Sequence, residues 1–367
     1  MESPRSEFTD SASNGEELEL AADCIMDQVR SDDGESRIKA AKEIRRLTKT
    51  NSVNRRLLAN AIEPLVEMVR SGRDERAEAA ILALLNLGVK DERNKINIVK
   101  AGALDPIINL LQSQNQNLQE NATAAILTLT ACSANKLAIC SSGAIPLLVS
   151  ILSQATNPQT KIDSLMALYN LSTLPDSLPS IVSSNPIPSL VSLLKTVRKS
   201  SKTAEKCMAL LEPLLGFEGG RAALTSEPGG VLSVVELLEE GSPAVKEFAV
   251  CALLTMCESD RERYREVILK EGVIPGLLEL SVKGTTHKSR SKARALLQLL
   301  RKSPRSRPEL EPAALENIVS DIVLRVDGGD RAGKAKKMLA EMVQVSMEQS
   351  LRHMQQRALI CTPNPSK

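Results

Sequence analysis

The residues in this sequence that could do chemistry are polar side chains that recur at a spacing of about 42 residues. One polar position returns between copies of an apolar phrase, and its occupants are Asn86, Thr128, Asn170, Glu212, Thr255 and Gln298, with Arg46 as a divergent first copy. An asparagine amide offers both a donor and an acceptor, the two groups that an extended peptide backbone leaves unpaired. This is binding chemistry for a protein segment.

Catalytic chemistry has no comparable basis. The two histidines, His287 and His353, lie in basic or polar contexts and give little support to histidine-assisted hydrolysis. The seven cysteines form no CxxC pair, and Cys251 and Cys257 lie six residues apart on one predicted helix, too far round it to share a metal. Walker and GxGxxG motifs are absent. We predict no catalytic residue, no metal and no cofactor, and we interpret the cysteines as core residues.

Composition limits the class of partner. The 367 residues include 47 basic and 45 acidic side chains, a net charge of +2, so no overall field attracts nucleic acid or membrane. Two tyrosines, three phenylalanines and no tryptophan argue against modules that stack bases on rings. No run of about 18 apolar residues occurs. We expect no nucleic-acid partner, no integral membrane association, and a cytoplasmic or nuclear location.

The elements that must position the polar side chains are helices in a tandem repeat. A second phrase returns every 41 to 44 residues, anchored on Asn60, Gly102, Gly143, Asn185, Gly229 and Gly272. Gly102, Gly143 and Gly272 predict left-handed residues that end short first helices. A proline then falls in the first turn of the next helix at Pro64, Pro106, Pro146, Pro188 and Pro275. The period is that of three-helix repeat units.

The third helix of each unit carries an alanine three residues before the polar position. These alanines are Ala83, Ala125, Ala167, Ala209, Ala252 and Ala295. Such helices bury most of their circumference between neighbours, so stacked aliphatic side chains replace the missing rings. Pro213 is an exception, because it lies late in a third helix and predicts an irregular joint near residues 213–220.

The phrases AGALDPIINLL (101–111), ENATAAIL (120–127) and SGAIPLLVSIL (142–152) resemble armadillo repeats over residues 15–302. Within that superfamily, segment 40–66 is similar to the first repeat of plant U-box ubiquitin ligases. The resemblance implies an all-α fold, a right-handed α-solenoid superhelix of about seven armadillo repeats with C-terminal capping helices. A U-box should precede the repeats, but only about 15 polar residues do so, and we expect an armadillo-only relative without ligase activity.

The predicted domain organisation follows the repeat. Residues 1–14 form a disordered acidic tail, 15–302 the solenoid, 303–312 a basic linker with proline, 313–358 the capping helices and 359–367 a tail. The units lie near residues 15–50, 51–91, 92–133, 134–174, 175–217, 218–259 and 260–302.

Third helices line the concave face of armadillo stacks, so the resemblance implies a groove built on the polar positions. Its predicted residues are Asn86, Thr128, Asn170, Glu212, Thr255, Gln298, Leu82, Met166, Met208 and Asp163. Nuclear-import adaptors of this superfamily place a tryptophan one turn before such asparagines. That position holds Leu82, Ala124, Met166, Met208, Cys251 and Arg294, which argues against a transport adaptor. An apolar groove with carboxylates nearby suits a partner segment, extended or helical, with apolar and basic residues. Alternatively, these are ordinary exposed helix positions.

A second candidate surface is the basic stretch 281–308. Its patch residues are Lys288, Arg290, Lys292, Arg294, Arg301 and Lys302. Three interpretations remain open: a solvated helix face, a nuclear-targeting or acidic-partner patch, and a phosphate or lipid contact. Ser303 and Ser306 are candidate phosphorylation sites that would remove positive charge from this patch.

The sequence thus predicts a non-enzymatic protein-interaction scaffold or adaptor whose groove binds partner segments in ubiquitin-pathway or signalling assemblies. The alternative is the substrate-binding component of a U-box-type ubiquitin ligase, which would be catalytic once a U-box is supplied. A nuclear transport adaptor is the third possibility.

Overall fold

The structure is a computed structural model that describes residues 9–301, with side chains from residue 20 onward. Within that range the backbone forms twenty α-helices and three 3₁₀ turns, without strands. These residues fall into two compact units, which meet between Gly230 and Val231 in the sequence. The all-α prediction is confirmed.

The first unit contains five layers, each of which ends in a long third helix. Layer one is α1 (Thr9–Arg30) and α2 (Gly34–Thr48). Layer two is α3 (Ser52–Leu57), α4 (Ile62–Arg70) and α5 (Asp74–Gly88), and layer three is α6 (Glu92–Lys100), α7 (Leu104–Leu111) and α8 (Gln116–Thr130). Layer four is α9 (Lys136–Ser141), α10 (Ala144–Gln154) and α11 (Pro158–Ser172). Layer five is α12 (Leu178–Ser183), α13 (Ile187–Thr196) and α14 (Lys202–Leu214). The 3₁₀ turns are Leu58–Ala61, Ser133–Asn135 and Pro175–Ser177. Helix α15 (Glu218–Ser226) follows and packs against α12 and α13.

The second unit continues the same helix pattern. Its helices are α16 (Gly230–Glu240), α17 (Pro243–Ser259), α18 (Arg261–Lys270), α19 (Ile274–Lys283) and α20 (His287–Leu300). Helices α17 and α19 both pack against α20. The predicted linker 303–312, capping helices 313–358 and tail 359–367 lie outside the described residues.

Helix α1 begins earlier than the sequence predicts. Residues 9–14, which we assigned to a disordered tail, form the first part of α1. No proline interrupts the chain between Thr9 and Arg30, so nothing in this stretch prevents the helix from extending toward the N-terminus.

Left-handed residues follow the first helices, as predicted for Gly102, Gly143 and Gly272. The backbone φ angle is positive at Gly102, Gly143, Asn185, Gly229 and Gly272, with values between 51° and 83°. Asn60 differs, because it lies within the 3₁₀ turn Leu58–Ala61, which runs directly into α4. The predicted prolines lie in the first turns of α4, α7, α10, α13 and α19.

The alanine column is buried in four helices and displaced in two. Ala83, Ala125, Ala167 and Ala252 are at most 4% exposed, whereas Ala209 and Ala295 are partly exposed. In α14 the buried residues are Ala204, Cys207, Met208, Leu210, Leu211 and Leu214, and they match Ala77, Ala80, Ile81, Ala83, Leu84 and Leu87 of α5 at an offset of 127. The predicted polar positions 86 and 212 differ by 126. Helix α14 is therefore shifted by one residue relative to the register predicted from the polar positions.

Candidate partner-binding face on the third helices

The C-terminal ends of the third helices are fixed by a ladder of buried polar residues on the first helices and 3₁₀ turns. Its members are Asn54, Asn94, Asn135 and Ser177, none more than 6% exposed. Their side chains donate to the carbonyls of Leu47, Leu87, Leu129 and Leu171, at 3.0, 3.1, 3.4 and 2.8 Å. Each of these leucines directly follows a recurring polar position. The ladder therefore sets where each polar position lies.

Two ladder asparagines also connect neighbouring layers. Asn94 donates to the Arg55 carbonyl at 2.8 Å, and Asn135 donates to the Lys95 carbonyl at 3.0 Å. The ladder was not predicted from the sequence, although the spacing of Asn54, Asn94 and Asn135 by 40 and 41 residues is a signal for it. Burying an amide with its donors satisfied fixes the relative position of adjacent layers.

The recurring polar positions themselves make hydrogen bonds within the first unit. Asn86 Nδ2 donates to the Arg45 carbonyl at 2.8 Å, and Asn170 Nδ2 donates to Thr130 Oγ1 at 3.2 Å. Thr128 Oγ1 donates to the Ala124 carbonyl of its own helix at 3.0 Å. The asparagine donors are thus engaged with the preceding layer. Each asparagine leaves its side-chain oxygen for a partner, an acceptor for a backbone N–H, together with its second N–H.

In layer five the place of the recurring polar position is occupied by Pro213 and not by Glu212. Gly220 takes the ladder place there, since a Cβ on it would lie 2.1 Å from the Leu214 carbonyl oxygen. In layers one to four, the ladder residue donates to the carbonyl of the residue that follows the recurring polar position. In layer five that following residue is Leu214, so Pro213 occupies the recurring position. The burial pattern of α14, which matches that of α5 at an offset of 127, also places Pro213 at the register of Asn86. Proline ends α14 one residue later, and the predicted irregular joint is confined to residues 215–217.

Met208 is a second correction to the predicted groove. Its side chain is 0% exposed and belongs to the core, because the shift of α14 turns it inward. Leu82 and Met166 are partly exposed, as a groove residue must be. Leu85, Leu127 and Tyr169, each one residue before a polar position, are also partly exposed. We call Leu82, Leu85, Leu127, Met166 and Tyr169 the apolar row; it runs across α5, α8 and α11, which pack side by side.

Charged groups border the apolar row at layers four and five. The Lys206 ammonium lies 4.0 Å from the centre of the Tyr169 ring, a cation–π contact that joins α11 to α14. Burial raises the pKa of Asp163 above its ordinary value, although a hydrogen bond from Gln159 Nε2 at 2.8 Å acts in the opposite direction. Asp163 is therefore a half-buried carboxylate at the border of the row.

In the second unit, the predicted groove residues lie on separate helices. Thr255 of α17 is partly exposed, Gln298 of α20 is exposed, and Cys251 is 6% exposed. Of the five described patch residues, Arg290 and Arg294 donate to the carbonyls of Gly284 and Ser281, at 2.6 and 3.3 Å, at the end of α19.

The remaining patch residues differ in their surroundings. Lys288 forms an ion pair with Glu247 at 3.0 Å, and Arg301 is exposed. Lys292 is partly exposed. Lys302, Ser303 and Ser306 lie outside the described residues.

Other chemistry is sparse in residues 20–301. No group of three or more His, Cys, Asp or Glu side chains there could hold a metal ion. Cys132, Cys207, Cys251 and Cys257 are buried, whereas Cys24 is exposed and Cys140 partly exposed, so the interpretation as core residues is wrong for these two. Burial raises the pKa of Cys207 to about 12. No single described helix is long and apolar enough to cross a membrane; α8 with Ser133–Ser141 meets the length and composition test only as a pair bent by 111°.

The ladder, the three-helix layers and the apolar row belong to one repeat architecture, and comparison with known proteins identifies it. Residues 19–317 match the family described as the plant U-box protein ARM repeat region. The chain belongs to this family. Two curated relatives from Arabidopsis thaliana are U-box domain-containing protein 45, 37% identical over 106 residues, and U-box domain-containing protein 17, 30% identical over 135 residues.

These matches cover limited parts of each protein. They include 29% and 37% of this armadillo-repeat chain, but only 14% and 18% of the relatives' own length. Among solved structures, a computationally designed armadillo repeat protein for modular peptide recognition superposes with a TM-score of 0.56 and 20% identity, over 65% of this chain and 100% of its own. That likeness establishes the fold.

Proposed function

We propose that this armadillo-repeat chain is a non-enzymatic scaffold that binds a partner segment along the apolar row of its first unit. The observation that carries the proposal is the row itself, five partly exposed apolar side chains on three adjacent third helices. Partly exposed apolar side chains in a continuous row provide binding energy when a partner covers them. The free oxygens of Asn86 and Asn170 would accept hydrogen bonds from the backbone of that segment.

The family and the fold neighbours support the same proposal. The designed armadillo protein is described as recognising peptides, and the curated relatives are U-box proteins. We propose that the partner is brought to a ubiquitin-pathway or signalling assembly in the cytoplasm or nucleus. The alternative, the substrate-binding component of a U-box-type ligase, is favoured by the family match to the armadillo region of such proteins.

Proximity labelling in plant cells would test the binding face. The row variant is Leu85→Ser/Leu127→Ser. The matched control is Val53→Ser/Leu137→Ser, which replaces a valine and a leucine that are 60% and 64% exposed on first helices. We expect the row variant to lose partners that the control retains, with similar melting temperatures. An unchanged set of labelled proteins in a folded row variant would overturn the proposal.

A discharge assay separates scaffold from ligase. The purified chain is mixed with a ubiquitin-loaded conjugating enzyme, and the rate of ubiquitin release is compared with that of the conjugating enzyme alone. We expect no acceleration, because residues 19–317 match the armadillo region of U-box proteins, whereas the U-box is the part of such ligases that recruits the conjugating enzyme. Accelerated transfer would contradict the non-enzymatic proposal and favour the ligase alternative.

A further inference from the structure

Layer one presents a group of cations at and around the positions where layers two to four present the apolar row. The members are Lys39, Lys42, Arg45, Arg46 and Lys49, all exposed, and we call them the basic cluster. The pairing of Asn54 with Leu47 and of Asn94 with Leu87 aligns α2 with α5 at an offset of 40. Arg45 therefore occupies the register of Leu85, and Lys42 occupies the register of Leu82. The basic cluster continues the apolar row by one layer.

Carboxylates neutralise only part of this cluster. Arg46 is hydrogen-bonded to Glu43 at 2.6 and 2.8 Å, and this pairing lowers the pKa of Glu43. Lys39 and Lys42 lie 3.8 and 3.5 Å from exposed carboxylates of Glu35 and Glu75, and such surface pairs are weak. In the described residues no carboxylate lies within ion-pair distance of Arg45 or Lys49.

Helix capping does not account for these free cations. Basic residues in a last helical turn often satisfy terminal carbonyls. In α2 that place is taken by Arg55, whose Nε and Nη2 donate to the carbonyls of Thr48 and Lys49, at 3.0 and 3.1 Å. The guanidinium of Arg45 and the ammonium of Lys49 are thus available to an external anion.

We propose that the basic cluster binds acidic residues of the partner segment, whose neighbouring aliphatic residues lie on the apolar row. The inference rests on the proposed function and names the partner's chemistry: carboxylates at one end, followed by spaced aliphatic side chains. At the other end of the face, charges of both signs occur, since the Lys206 ammonium lies over Tyr169 and Glu205 pairs with Lys202 at 3.0 Å, whereas layer one presents Arg45 and Lys49 without a carboxylate partner among the described residues. A protein segment fits better than a bilayer, since the cations lead directly into an apolar row on packed helices.

Fluorescence polarisation with defined peptides tests the inference on the full chain. Third helices packed about 10 Å apart correspond to roughly three residues of extended chain, so the probe carries three acidic residues followed by leucine at every third position. A second peptide replaces the acids by Asn, Gln and Ser, and a third replaces them by Lys and Arg. The variant is Arg45→Glu/Lys49→Glu, and the control Arg93→Glu/Lys100→Glu makes the same charge change on the exposed side of α6.

We expect the acidic peptide to bind about tenfold more tightly than the neutral one, an advantage of about 1.4 kcal/mol. The advantage should vanish in Arg45→Glu/Lys49→Glu and in high salt, and it should persist in the control. Equal affinity of acidic and neutral peptides, tighter binding of the basic peptide, or no binding of the acidic peptide by a folded chain would each overturn the inference.

Two further results separate this inference from the proposed function. If the neutral peptide binds and Leu85→Ser/Leu127→Ser abolishes its binding, the apolar row stands even when the acids contribute nothing. If Leu85→Ser/Leu127→Ser changes the affinity of none of the peptides, the proposed function itself is wrong. Vesicles with 30% phosphatidylserine provide the remaining arm: binding to them that requires Arg45 and Lys49 and that the acidic peptide does not compete would assign the cluster to a membrane and overturn the inference.

Discussion

The side-chain amide of Asn86 donates to the backbone carbonyl of Arg45 across 2.8 Å, and this bond joins the third helices of layers one and two. A residue type suited to binding a peptide backbone is therefore partly committed to holding the protein together. The asparagine oxygen, its second N–H and the apolar residue beside it remain for a partner. The polar positions thus serve both the stack and its face.

Substitution of ladder and groove asparagines should have unequal effects on stability. Asn94→Ala leaves the buried carbonyls of Arg55 and Leu87 without their donor, and we expect a loss of about 2–3 kcal/mol. Asn86→Ala removes one bond near the surface, and we expect about 1 kcal/mol. Urea unfolding measures both, with the exposed Asn97→Ala as control. Equal losses for Asn86→Ala and Asn94→Ala would show that the buried ladder has no special role.

Two adjacent glycines in α15 should respond differently to alanine. A Cβ at Gly220 would lie 2.1 Å from the Leu214 carbonyl oxygen, whereas a Cβ at Gly219 would lie 3.3 Å from Val182 Cγ1. We expect Gly220→Ala to destabilise the chain by about 1–3 kcal/mol, as overpacking does, and Gly219→Ala to be neutral or slightly stabilising. Thermal melts of the two variants provide the comparison. A stable Gly220→Ala chain would remove the support that this contact gives to the alignment of Pro213.

The charge of Asp163 should make stability depend on pH. Burial raises its pKa in the folded chain above the ordinary value of 3.8, so the folded chain holds the proton more tightly than the unfolded chain. Ionisation then costs stability above the folded pKa, and the cost disappears below pH 3.8. We expect Asp163→Asn, which keeps an acceptor for Gln159, to raise the melting temperature at pH 7 but not at pH 3. Asp105→Asn, on an exposed residue, controls for the change of charge. A pH-independent effect would refute this explanation.

The cysteines should differ in reactivity. Burial raises the pKa of Cys207 to about 12 and that of Cys257 to about 11, whereas Cys24 is exposed. Because the thiolate is the reacting species, brief treatment with iodoacetamide at pH 8 should modify Cys24 and spare the other two until urea is added. Mass spectrometry of the peptides reads the result. Rapid native labelling of Cys207 would contradict its burial.

The fold was predictable because its signals are local and repeated. Glycine indicates the positive φ angles at Gly102 and Gly143, because it favours left-handed turns. Alanine indicates close helix approach, and Ala83 is buried accordingly. The partner of Asn86 was not predictable, because a backbone carbonyl such as that of Arg45 has no sequence signature. The sequence pattern thus located the polar position but did not show that the Asn86 amide is hydrogen-bonded within the protein.

The error at layer five has a similar cause. In the stretch KCMALLEP, two registers one residue apart both place apolar side chains on the buried side, so the pattern could not choose between Glu212 and Pro213. The choice depends on Leu214 packing against Gly220, a tertiary contact. The same shift moved Met208 from the predicted groove into the core. The apolar row was recognisable only in part, since Leu85 and Leu127 look like core residues until their exposure is known.

The central claim is that a partner covers the apolar row, and site-specific photo-crosslinking tests it most directly. A benzophenone amino acid replaces Leu127 on the row or Leu137, which is 64% exposed on α9, in the full chain expressed in plant cells. We predict that a protein recovered by proximity labelling crosslinks at position 127 and not at position 137, and that Leu85→Ser weakens the crosslink. A partner that crosslinks at position 137 and not at position 127 would contradict the claim.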